Sequence, residues 1–254
     1  MKVHSAGAPG GLDRMGWARR FCGTGFLGSD IGKDYKLKSM DLPDARERMV
    51  TVQVAGRGVR DPRVLAAMRE VPRHRFVPEA MAGDAYQDRP LPIGEGQTIS
   101  QPYMVAAMTA ALAPGAADRV LEVGTGSGYQ AAILAQLAGS VVTIERHPTL
   151  AARAMATIAA LGIANVRVVV GDGSNGYPDE APYDRILVTA GAPAVPESLT
   201  AQLADGGRLV IPVGSEGLQH LIVVERRAGA LTTSEGEGCV FVPLIGEHGW
   251  PASR

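Results

Sequence analysis

The chain is short of cysteine, of aromatic residues and, beyond residue 38, of lysine. Its two cysteines, Cys22 and Cys239, lie far apart and form no CxxC pair. That spacing argues against a disulfide framework or a cysteine-built zinc site and fits a reducing cytosol. No apolar run approaches the ~20 residues that a membrane helix needs. A net charge of −1 over 254 residues offers nucleic acid or an anionic membrane no general field to read. We therefore expect a cytoplasmic protein with neither a membrane nor a nucleic-acid partner.

The missing lysines mark a boundary. All four (Lys2, Lys33, Lys36, Lys38) fall in the first 38 residues. Residues 1–39 carry seven Lys and Arg against three acids, a charge of +4, which leaves −5 on residues 40–254. This leader is glycine-rich, lacks sustained periodicity and has no apolar core of the secretory type. We expect it to be disordered or non-native, with Met40 the natural start; a functional basic tail is the alternative.

With 46% hydrophobic residues, the chain can bury a large core. Residues 62–71 read as a short amphipathic helix, opened by Asp61 as cap and stopped at Pro72. Residues 84–99, rich in Pro and Gly, read as an ordered loop. Ser100 then falls at an N-cap position with Pro102 in the first turn, and Met104, Ala107, Met108, Ala111 and Leu112 follow at core-facing helical spacing. From Arg119 strands and helices alternate: strands at 120–123, 141–144, 166–170, 185–189, 208–213 and 221–225, helices at 130–137, 150–161 and 197–203, and a further strand at 239–244. The first strands are continuously apolar, as strands covered on both faces must be. The expectation is an α/β fold with a doubly wound, mostly parallel sheet. It divides into a helical and loop region (40–115), a Rossmann-like core (116–228) and a C-terminal strand with a substrate-covering tail (229–254).

The first core strand runs into Gly124, Gly126 and Gly128 before the next helix. Glycines there permit a tight turn and a close approach of backbone to ligand, although a glycine-rich βα turn is weak evidence alone. Glu145 ends the second strand, 21 residues after Gly124, where a carboxylate can take both hydroxyls of a ribose. Asp172, after the third strand, is placed to reach an adenine amino group, or simply to make a turn. Glu122 precedes the first glycine by two residues. An acid there would repel a pyrophosphate and help to hold a cationic ligand. S-adenosylmethionine fits, having a ribose, an adenine, an ammonium and a sulfonium but no phosphate.

The acceptor is narrowed by what the chain does not contain. After the fourth strand, residues 188–193 are small and apolar, without the polar-Pro-Pro-aromatic pattern that orients a flipped base. His4, His74, His147, His220 and His248 each read better as surface or structural residues than as a base. An acceptor already anionic at neutral pH needs no base, and a carboxylate with pKa about 4 qualifies.

The body from about residue 40 to 250 resembles the protein-L-isoaspartate (D-aspartate) O-methyltransferase family. The resemblance rests on Arg-Phe-Val-Pro at 75–78, Ala-Tyr-Gln-Asp-Arg-Pro-Leu-Pro-Ile-Gly at 85–94, Gln-Thr-Ile-Ser-Gln-Pro-Tyr-Met at 97–104 and the glycine loop. It continues in order through Gly-Asp-Gly at 171–173, Ala-Pro-Tyr-Asp at 181–184, 206–214 and Phe-Val-Pro-Leu at 241–244. The glycine loop is shared by many methyltransferases; the 97–104 segment and the Val-Pro-Leu tail in that order are specific. The resemblance implies S-adenosyl-L-methionine as donor and isoaspartyl proteins and peptides as partners. It implies donor contacts at Gln97, Thr98, Ile99 and Thr125 and at Gly173, beside Glu122, Gly124, Gly126, Glu145 and Asp172. Thr98, Ser100, Val242 and Ile245 would meet the acceptor, with Ser100 at the functional serine position and no metal. Tyr103 departs from the family's histidine, so a donor contact through it is not expected. The implied reaction is direct in-line displacement: the isoaspartyl carboxylate takes the sulfonium methyl, giving a methyl ester and S-adenosylhomocysteine, and the ester closes to a succinimide. A monomer is expected. The rival readings are a methyltransferase for RNA or a small molecule, a nicotinamide-dependent dehydrogenase, and a cofactor-binding module without turnover.

Overall fold

A computed structural model describes residues 41–252; the leader expectation for residues 1–39 lies outside them. Helix α1 (Leu42–Arg48) runs into a wider helical turn, Met49–Val54, that buries Met49, Val50 and Val54. Helix α2 (Pro62–Glu70) starts where the sequence places it: the Asp61 side chain accepts from the Arg63 N–H at 2.9 Å, and Val64, Ala67 and Met68 are buried. Two short 3₁₀ turns, Arg73–Phe76 and Glu79–Asp84, follow.

Part of the expected 84–99 loop is a hairpin. β1 (Leu91–Gly94) pairs antiparallel with β2 (Gln97–Ile99), Leu91 opposite Ile99. Glu95 and Gly96 between them both have positive φ, 52° and 68°, as a tight hairpin turn requires. Helix α3 (Pro102–Leu112) follows with Gln101, not Ser100, at its N-cap and no side-chain cap. Its buried set is Pro102, Val105, Ala106, Met108, Thr109 and Leu112, whereas Met104, Ala107 and Ala111, expected in the core, are only partly covered. The helix is apolar nearly all round, and periodicity cannot then choose a face.

The sheet carries the rest. β3 (Arg119–Val123), α4 (Tyr129–Ala135), β4 (Ser140–Glu145), α5 (Pro148–Ala160), β5 (Val166–Val170), β6 (Tyr183–Val188), α6 (Glu197–Ala201), β7 (Leu203–Ser215), β8 (Leu218–Arg227) and β9 (Ala230–Cys239) follow in order. The strands lie side by side as β5-β4-β3-β6-β7-β8-β9, parallel through β7 and antiparallel beyond it. Leu121, Val123, Ile186, Val188, Leu209 and Ile211 pack with Leu199 of α6. Val120, Leu187 and Val210 pack with Met108 and Leu112 of α3. The doubly wound expectation therefore holds. Because the chain winds outward from β3 through β4 to β5 and then returns to β6, the order switches between β3 and β6. A crevice opens there at the strands' carboxyl ends.

The final strand begins nine residues before the expected 239–244 run and ends at Cys239. β9 is exposed along Ala230–Gly238; an edge ribbon wet on both faces has no need of apolar residues. The apolar run after it instead plugs the sheet end. Phe241 and Leu244 are buried, and Gly191 exchanges hydrogen bonds with Val242 O and the Leu244 N–H, both at 2.8 Å. Among the described residues no helix is long and apolar enough to cross a membrane.

Candidate active site

The glycine loop is built around the switch point. Gly124, Gly126 and Gly128 have φ of 99°, 53° and 86°, a region that L side chains rarely adopt. At Gly124 a Cβ would also collide with the Thr189 hydroxyl. That hydroxyl, just past β6, donates to Gly124 O at 2.7 Å, and the Thr189 N–H donates to Val123 O at 2.9 Å. Glu145 at the end of β4 is buried, and its two carboxylate oxygens accept from the N–H groups of Gly126 (2.8 Å) and His147 (2.9 Å).

Three of the loop's other N–H groups are also spent internally. Those of Gly124 and Thr125 donate to Ile144 O at 2.9 and 3.1 Å, and that of Gly128 donates to Thr125 O at 2.8 Å. A loop that cradles phosphate keeps such groups free. This one offers a carboxylate and a narrow gap instead. A nucleoside without a pyrophosphate suits that donor set; a dinucleotide does not.

An open cavity lies over the loop. Of the expected residues it is lined by Gln97, Thr98, Ile99, Ser100, Gly124, Thr125, Gly126, Glu145, Gly173, Val242 and Ile245. Two expected residues are not in its wall. Glu122 is fully buried behind the loop, where Thr143 Oγ1 donates to its Oε2 at 2.5 Å and lies 2.7 Å from Thr125 Oγ1. Burial pushes the Glu122 carboxyl up to about 8; the Thr143 hydrogen bond opposes this and nearby Glu145 adds to it. Burial thus favours the neutral carboxyl, which meets the loop through the Thr143 and Thr125 hydroxyls. The exclusion of a pyrophosphate survives, resting on the occupied N–H groups rather than on the charge of Glu122.

Asp172 is the other. Its oxygens accept from the Ser174 N–H and hydroxyl (2.9 and 2.7 Å) and from the Glu247 N–H (2.8 Å). Burial raises its carboxyl, but these donors, with His248, outweigh that and hold it below the usual range. The carboxylate assigned to an adenine amino group already fastens the tail, so an adenine contact would come in addition. Gly173 presents bare backbone to the cavity, and a Cβ there would lie 2.6 Å from Val123 Cγ1.

The lip at 97–100 is held from behind by Arg73, which the sequence reading passed over. Arg73 is fully buried, donates through Nε to Ala85 O and through Nη2 to Ser100 O, both at 2.7 Å, and lies over the Tyr129 ring. Burial pushes its guanidinium down to about 10, so it remains a cation at neutral pH. Among the described residues the Ser100 hydroxyl has no hydrogen-bond partner, and it does not cap α3. His74 engages Tyr86 and His220 engages Glu235, and neither lines the cavity. A second cavity opens on the other side of the lip. It shares Thr98, Ser100, Thr189 and Val242 with the first and adds Arg57, Tyr103, Glu237 and Val240. Thr189, present at both cavities, entered the sequence reading only as the end of a strand.

A nucleoside cavity at the switch point of this sheet, meeting a second cavity across a hydroxyl-bearing lip, defines a Rossmann-like methyltransferase of class I. The model of the Protein-L-isoaspartate(D-aspartate) O-methyltransferase (PCMT) family matches residues 45–249. A relative from Methanoregula boonei, named Protein-L-isoaspartate O-methyltransferase, is 61% identical over 207 residues, 82% of this chain and 95% of its own. A solved protein-L-isoaspartate O-methyltransferase aligns with a TM-score of 0.72 at 30% identity, over 80% of this chain and 67% of its own. A Plasmodium falciparum beta-aspartate methyltransferase (PCMT), solved in complex with S-adenosyl-L-homocysteine, aligns with a TM-score of 0.68 at 26% identity, over 79% of this chain and 98% of its own. The chain belongs to the protein-L-isoaspartate(D-aspartate) O-methyltransferase family.

Proposed function

We propose that this enzyme methylates the carboxylate of L-isoaspartyl residues in damaged proteins and peptides, with S-adenosylmethionine as donor. The observation that carries the reading is the meeting of the two cavities at Thr98, Ser100, Thr189 and Val242. Glu145, fixed by two backbone N–H groups, accepts the ribose hydroxyls, and the glycine loop and Gly173 give close backbone approach. The bound donor supplies an electrophilic methyl group on a cationic sulfur.

The chain's own residues then align and dry the reactants. The Ser100 hydroxyl donates to the acceptor carboxylate. Ser100 directly precedes the N-cap of α3, so the partial positive end of that helix lies beside the incoming anion. Val242 and Ile245 cover the acceptor. With a carboxyl pKa of about 4 the acceptor arrives ionised, and no base is required. Opposite charges neutralise as the methyl moves, which a water-poor site favours. Alignment alone can contribute roughly 7–11 kcal/mol. The ester product then closes as the following backbone nitrogen attacks its carbonyl and methanol leaves; hydrolysis of the succinimide partly restores aspartate. The enzyme acts as a monomer, a reading supported by one chain lining both cavities, and in the cytoplasm, which its two widely separated cysteines fit.

The test is methyl transfer from labelled donor to an isoaspartyl peptide and to its aspartyl twin. Label is expected in the first only. Equal labelling of both, or of neither, contradicts the proposal.

A further inference from the structure

The outer cavity carries a charge arrangement that methyl transfer does not itself use. Asp88 Oδ2 pairs with Arg57 Nη1 at 2.9 Å. The Arg57 guanidinium lies 3.6 Å from the centre of the Tyr103 ring. The Tyr103 hydroxyl in turn donates to both carboxylate oxygens of Glu237, at 3.1 Å each. The series thus crosses from the loop before β1, through the first turn of α3, to the end of β9.

Its two ends differ. Arg57 has an anionic partner and an aromatic face, and its charge is committed. Among the described residues no Arg or His lies within ion-pair distance, 4.0 Å, of Glu237. A tyrosine hydroxyl orients the carboxylate without neutralising it. Glu237 is therefore an oriented carboxylate at the wall of the outer cavity, without a counter-ion among the described residues.

We infer that Glu237, oriented by Tyr103, selects acceptor chains that carry a lysine, an arginine or a free amino terminus within a few residues of the isoaspartate. The inference rests on the reading of the outer cavity as the acceptor's entrance. Ser100 and Glu237 line that same cavity, and Tyr103 follows Ser100 by three residues. An extended chain advances ~3.3 Å per residue, so a long cationic side chain close to the reacting residue can reach Glu237. An acidic flank is repelled by the same group. Glu237 is exposed, so the effect is partly screened, sensitive to salt and expressed in KM rather than kcat.

The test uses the full chain and isoaspartyl peptides that differ only in carrying Lys, Gln or Glu at one of the two positions on either side. Steady-state methyl transfer is measured at low and high salt. At one flank the Lys peptide is expected to have a KM about five- to tenfold below that of the Glu peptide, the size of a screened pair and its repulsive counterpart. High salt shrinks the ratio, Glu237→Gln brings it near one, and Glu237→Lys inverts it; misfolding cannot produce an inversion. Equal KM for all flanks in the unmodified enzyme, or a ratio unchanged in Glu237→Gln, overturns the inference. Failure of every isoaspartyl peptide to accept methyl would instead overturn the proposed function.

Discussion

Ser100 is tied down through its carbonyl oxygen and open at its hydroxyl. Arg73 holds the carbonyl at 2.7 Å, so the backbone is fixed by a group that makes no demand on the side chain. Ser100→Ala is therefore expected to lower kcat by about 10- to 100-fold, the worth of one hydrogen bond to a charged group. Calorimetric affinity for S-adenosylhomocysteine should stay unchanged within error. Glu122 bears on stability through its burial. Its carboxyl sits near 8 in the fold against an ordinary 4.5. Between those values the folded state keeps a proton that the unfolded chain has lost, so stability falls as pH rises through that window. Melting curves should show the parent losing more Tm than Glu122→Gln between about pH 5 and pH 9. The acid's position before the glycines is visible in the sequence. Its burial is not, because burial depends on Thr143 and on the strands to either side.

The elements that were legible are those whose burial demands a pattern. β3 and β4, buried along nearly their whole length, had to be mostly apolar, and Asp61 and Pro62 announce α2. The β1–β2 hairpin was hidden by its Pro and Gly content, and β9 by being wet on both faces. The glycine loop was legible because backbone geometry limits which residues can make it. Gly124→Ala tests that reasoning at the scale of the turn: φ of 99° and the Thr189 hydroxyl both oppose a side chain. A loss of more than about 1 kcal/mol of stability by denaturant titration is expected, with weaker S-adenosylhomocysteine binding. Thr189 and Arg73 were not legible as site residues, since each acts on a segment distant in sequence, 65 residues away for Thr189 and 27 for Arg73.

For the whole molecule, strand order decides where chemistry is possible. The switch between β3 and β6 opens the crevice, and the lip and tail divide it into the two cavities proposed for donor and acceptor. The family match begins at residue 45, after the lysine-bearing leader. A chain begun at Met40 is accordingly expected to keep its kcat/KM and Tm; a collapse of either would give the leader a role. The central claim is that the donor lies between the glycine loop and Glu145 and presents its reactive end to Ser100. A crystal structure of the enzyme soaked with S-adenosylhomocysteine tests this most directly. The account predicts ribose hydroxyls on Glu145 and the sulfur turned towards the lip at Thr98 and Ser100; a nucleoside bound away from Gly126 and Glu145 would contradict it.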